Sequence, residues 1–149
     1  MPRHLIAALT ALCVLCFGVA AAQSSPFFTG RLSNVAVGGY DPVSYFDGTP
    51  QRGDRQISRT YRGAAFRFAN QENLERFSAD PEAYVPQYGG YCAWAVAQGS
   101  LSKGDPRYWA IVGGKLYLNY DEGVQALWDR DRAGLIETAD ANWPEILDR

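Results

Sequence analysis

The chain has 149 residues, with 14 basic against 16 acidic side chains and a formal net charge of −2. That length allows one domain with a core of its own, and the charge balance argues against a nucleic-acid partner. An aromatic share of 13% fits a tight core or an aromatic-walled pocket.

The start of the chain reads as an address rather than as structure. Arg3 precedes an apolar run of about 18 residues, and Ala20-Ala21-Ala22 precedes Gln23, the pattern of a secretory signal. Residues 1–22 are therefore expected to be cleaved. Arg3 stands alone, so the twin-arginine route is not indicated. Cys16 lies inside the apolar run with no small residue beside it, and is not expected to carry a lipid. Cleavage leaves 127 residues, expected in the periplasm or secreted, with no Lys/Arg-rich amphipathic segment to insert into a membrane. It also removes Met1, His4, Cys13 and Cys16. The exported part then has one thiol, Cys92, and neither histidine nor methionine.

Residues 23–34 are expected to form a loose arm, followed by a single domain over 35–149. Residues 35–37 predict a short strand ended by Gly38-Gly39. Asp41-Pro42 predicts a helix start, with Asp as the cap and Pro in the first turn, and the short helix stops at Asp47-Gly48. Residues 59–61 and 64–69 predict a hairpin about Arg62-Gly63, with Phe66 and Phe68 alternating at strand period. Asn70 caps a helix over Gln71–Ala79. Residues 92–97 predict a short helix closed by Gly99. Residues 108–112 and 115–119 predict the clearest hairpin, about Gly113-Gly114. Asp121 caps a helix through Val124, Leu127 and Trp128, and further helix follows through Leu135 and Ile136. No repeat is long enough for a solenoid. Hairpins alternating with short helices predict an α+β fold, a small antiparallel sheet with short helices packed on it.

The stretch YGGYCAWAVAQG, residues 88–99, resembles the YHS-domain family. So do AVGGYDPVSYFDG, YRGAAFRFANQENLERFSADPEAYVPQ, GKLYLNYDEGVQALW and ADANWPEIL. The chain is similar in particular to the exported, stand-alone branch of that family. The resemblance implies metal handling, since the family is associated with copper-transporting ATPases, and makes a metal transporter an expected partner. Metal-binding relatives tend to carry a second cysteine or a histidine near the first; this chain has neither.

Three readings of Cys92 stay open. As a thiolate it would bind a soft ion, most plausibly Cu(I), with Tyr40, Asp41, Tyr91 or Asn119 as weak ligands, or with the Cys92 of a second copy in a dimer. As a redox thiol it would react with peroxide or a partner thiol, and an outside thiol reductant would have to reset it. As a buried cysteine it would simply pack, leaving the domain a non-enzymatic module for a ligand or a protein. Tyr88 and Tyr91 flank the thiol as candidate walls. Composition excludes a four-ligand Cys/His zinc site, internal C-x-x-C exchange and a Cys–His nucleophile in the exported part.

Overall fold

Arg62-Gly63 and Gly113-Gly114 both have positive φ, at 46° and 87° and at 58° and 74°. Such pairs make the two-residue turns whose twist suits a hairpin. In the computed structural model, which describes residues 24–149, they fold β1 (Asp54–Tyr61) onto β2 (Ala64–Phe68) and β3 (Asp105–Val112) onto β4 (Lys115–Asn119). Both pairs are antiparallel and form separate two-stranded sheets. Four helices complete the α+β fold: α1 (Gln71–Ala79), α2 (Ala93–Ala97), α3 (Glu122–Asp129) and α4 (Arg132–Asn142). The expected signal, residues 1–22, lies outside the described residues.

The two halves are built alike. Many backbone features of residues 37–79 recur 51 positions later. Val37-Gly38-Gly39 and Tyr88-Gly89-Gly90 are left-handed turns with φ of 52°, 56° and 80° against 53°, 60° and 84°. The amide of Asp41 donates to Gln51 O and that of Cys92 to Ser102 O, each at 2.9 Å. Gly53 N donates to Gly39 O at 2.9 Å, and Gly104 N to Gly90 O at 3.1 Å. Tyr40 bridges Arg52 as Tyr91 bridges Lys103. Each hairpin opens on an aspartate, Asp54 paired with Phe68 and Asp105 with Asn119, and each shifts register after that pair. A side-chain cap then starts each helix: Asn70 accepts from Asn73 N, and Asp121 from Val124 N, both at 2.8 Å. The repeat is a single duplication, not a solenoid.

The core falls into two clusters, the first of which also takes in Leu116 and Leu118 of β4. Val43, Tyr45, Phe66, Phe68 and Phe77 anchor the first, and Ala93, Val96, Tyr117 and Trp128 the second. α4, capped by Asp131, closes the second copy against α2, where Asn142 Nδ2 donates to Val96 O at 2.9 Å.

Three sequence expectations need correction. Residues 35–37 form no strand: Val35 makes one bridge to Ala65, and the chain then turns left-handed. Both long strands begin earlier than expected, at Asp54 and Asp105, because the register shift lets the chain pair again beyond an irregular stretch. The arm is not loose where it is described. Phe27 is 3% exposed, edge-on to Phe66 at 5.2 Å, and Phe28 N donates to Gly89 O at 2.9 Å. Burial of that ring outweighs the lack of regular structure. Gly89 is required here: a Cβ on it would lie 1.7 Å from Pro26 O.

Candidate functional site

The duplication puts Asp41 and Cys92 at the same place, just after a left-handed turn and at the start of a short helical turn. Asp41 is fully buried. Its Oδ1 accepts from Val43 N at 2.8 Å, and its Oδ2 from Ala69 N at 2.9 Å and Asn73 Nδ2 at 2.7 Å. The carboxylate thus ties the 3₁₀ turn Val43–Tyr45, the end of β2 and α1 together. It is the cap the sequence predicts, with two further tasks.

Cys92 is the residue before α2 and is 1% exposed. The backbone amides of Ala95, Tyr120 and Trp94 lie near enough to its sulfur to lower its pKa, although the Trp94 N–H itself donates to Asn119 Oδ1. Trp94 and Tyr120 are the counterparts of Val43 and Ala69, the two amides that hold the Asp41 carboxylate. The sulfur therefore stands where the Asp41 carboxyl group stands in the other copy, but with the Trp94 amide taken up by Asn119 Oδ1. The third donor differs. Asn73 has Val124 as its counterpart, so no helix amide reaches the sulfur from that position. Instead Asn119, wholly buried at the end of β4, presents Oδ1 to Cys92 Sγ at 3.6 Å and to Trp94 N at 3.1 Å. An acceptor beside the sulfur suits an S–H. Asn119 Nδ2 donates to Gln125 Oε1 at 2.9 Å, and Gln125 Nε2 to Asp129 Oδ1 at 3.0 Å, carrying the network out to the surface.

Two tendencies oppose each other at the thiol. Burial pushes its pKa above the ordinary cysteine value, and the three amides pull it back without cancelling the rise. The resting group at neutral pH is S–H.

Of the five residues expected around Cys92, Asn119 is the one whose side chain touches the sulfur. Asp41 is occupied in the first copy. Tyr40 packs against Tyr45 and under Arg52. Tyr91 OH donates to Ser25 O at 3.0 Å, and its ring meets Phe28 and Trp143. Tyr88 OH donates to Asp140 Oδ1 at 2.8 Å, and burial raises its pKa above the tyrosine range, the hydrogen bond to Asp140 adding to the effect. Its ring, with Phe27, Pro86 and Trp143, walls a cleft of about 380 Å³ that Cys92 does not line. Among the described residues no group of three or more His, Cys, Asp or Glu is placed to hold a metal ion.

Sequence reading missed the Ala95, Trp94 and Tyr120 amides and the role of Asn119 as acceptor. One signal was available: GGY occurs at residues 38–40 and again at 89–91, followed once by aspartate and once by cysteine. No family model, curated protein or solved structure matches this chain.

Proposed function

We propose that Cys92 is a redox thiol whose oxidised form is held by the amide cradle. The observation that supports this reading is the equivalence with Asp41: Trp94 and Tyr120, whose amides lie near the sulfur, are the counterparts of Val43 and Ala69, whose amides donate to that side chain. Peroxide attack forms an S–O bond and breaks the O–O bond, so thiolate, hydrogen peroxide and one proton give sulfenic acid and water. A second peroxide gives the sulfinate, an anion with two oxygens like a carboxylate. With no resolving cysteine among residues 24–149, an outside thiol must reset the sulfenic acid. The first such thiol releases water and leaves a mixed disulfide. The second releases a disulfide and restores Cys92.

The test is intact-mass analysis of residues 23–149 after graded peroxide, beside Cys92→Ser. Uptake of one and then two oxygens on Cys92, with the protein still folded by circular dichroism, is the expected result. No uptake, or uptake only after unfolding, overturns the reading.

Soft-metal binding at the same sulfur is the second reading. The resemblance to the YHS-domain family supports it, and so does the cradle, because the amides favour the thiolate that Cu(I) prefers. The second donor would have to come from outside, from a metal transporter or the Cys92 of a second copy. A Cu(I) competition titration with one ion per two chains, lost in Cys92→Ser, is the result this reading expects.

A further inference from the structure

We infer that a second cleft, between the two copies, binds a small organic carboxylate through Arg52. The cleft measures about 280 Å³ and is lined by Gly38, Tyr40, Arg52, Asp105, Pro106 and Arg107. It shares no lining residue with the aromatic cleft around Tyr88, and the inference does not rest on the proposal for Cys92.

Three observations carry it. First, the arginines are concentrated. Residues 52–67 hold Arg52, Arg55, Arg59, Arg62 and Arg67 against the single Asp54, in a chain whose net charge is −2. An anion is drawn to this hairpin although the whole molecule is acidic. Second, Arg52 has no carboxylate within ion-pair distance among the described residues, whereas Arg62, Arg76, Arg107 and Arg132 are all paired. Its guanidinium carbon lies 4.9 Å from the Tyr40 ring centroid. Contact with the ring orients the guanidinium but uses none of its N–H groups, which stay free to form the two-pronged bond a carboxylate takes. Third, the acid in the cleft is already neutralised. Arg107 Nε and Nη2 donate to Asp105 Oδ1 at 3.0 Å and Oδ2 at 2.8 Å, and hydrogen bonding from Arg107 holds the Asp105 carboxyl below its ordinary pKa. That pair repels an incoming anion little and leaves Arg107 Nη1 as a further donor. The Pro106 ring and the Tyr40 face give the body of the ligand an apolar seat. One oxyanion head on a small flat body fits this set.

The experiment is a titration of the exported chain, residues 23–149, with benzoate, in a buffer free of other carboxylates and of phosphate, followed by NMR or calorimetry. Saturable binding is expected. Arg52→Gln is expected to weaken it about tenfold or more, the scale of a charge-assisted bond. Arg52→Lys is expected to weaken it comparably, because a point charge cannot reproduce the fork. Arg55→Gln, on the same hairpin but outside the cleft, is expected to change it less than about twofold. Non-saturating binding, equal losses in Arg52→Gln and Arg55→Gln, or full binding by Arg52→Lys each overturn the inference. So does inorganic phosphate binding more tightly than benzoate.

Discussion

The two copies of the repeated unit differ most where they are built most alike. In both, a left-handed turn delivers a side chain to the neighbourhood of two backbone amides, one from the short helical turn that follows and one from beyond the second hairpin strand. In the first copy that side chain is Asp41, and a third donor, Asn73 Nδ2, completes it. A buried carboxylate with three N–H partners is a strut. In the second copy the side chain is Cys92, and the polar neighbour is an acceptor, Asn119 Oδ1. A neutral S–H is the form these groups suit, and its conversion to an anion is the change they can respond to. The backbone cradle is common property; the side chain placed in it separates scaffold from chemistry.

The sharpest way to break this contrast is to remove the strut. Asp41→Ala leaves Val43 N, Ala69 N and Asn73 Nδ2 without partners in a site water does not reach. A loss of about 3–5 kcal/mol is expected, read by urea denaturation. Cys92→Ala at the matching position removes a packed sulfur and no anion, so it should cost clearly less. Equal costs would mean that the two positions do the same job. Asn119→Ala comes next. It strips the acceptor from Trp94 N–H and the partner from Gln125, an expected loss of about 1–3 kcal/mol, and should also make the thiol more readily ionised. Peroxide uptake by Cys92 in that variant at fixed pH should therefore rise, not fall.

The pH dependence separates the copies without mutating the scaffold. The folded-state pKa of Cys92 is raised by burial. The stability it contributes is therefore fully present below the unfolded thiol's pKa and is lost as pH climbs toward the folded value. Wild type should lose stability on the alkaline side of the ordinary thiol range. Cys92→Ser should lack that part of the decline and keep the later one from Tyr45 and Tyr88, whose pKa values burial also raises. Coincident profiles would show that the sulfur is not held neutral. Oxidation of the wild type should accelerate over the same interval.

Much of this fold is legible in the sequence because the signals are local. Gly63 and Gly113-Gly114 mark turns, Asn70 and Asp121 mark helix starts, and Phe66 and Phe68 alternate. Each is fixed by the conformational range of one or two residues. The cap at Asp41 is legible for the same reason. Its reach to Ala69 and Asn73, 28 and 32 positions away, is not, because long-range hydrogen bonds leave no periodic trace. The arm's packing is not legible, because Phe27 looks like any apolar residue in a polar stretch until the ring it meets is known. The duplication itself was concealed by core substitutions. Phe77 against Trp128 and Phe68 against Asn119 keep position but not chemistry, so backbone geometry preserves what side-chain identity has lost.

Trp128 offers the smallest and most selective test of that substitution pattern. It holds the place of Phe77 in the second core, wholly buried and 5.5 Å from Tyr117 in ring centroid distance. Its Nε1 is a buried donor with no hydrogen-bond partner. An unpaired buried N–H costs about 1–3 kcal/mol, while an indole fills more volume than a phenyl ring and its removal opens a small cavity. Trp128→Phe makes the second core like the first and removes the orphan donor at the expense of packing. The two effects oppose at similar size. The expected net change is within about 1 kcal/mol, against about 3–5 kcal/mol for Trp128→Ala, where packing is lost as well. A loss of several kcal/mol in Trp128→Phe would mean that the indole N–H is in use, and that the second copy has a polar tie in its core which the first lacks.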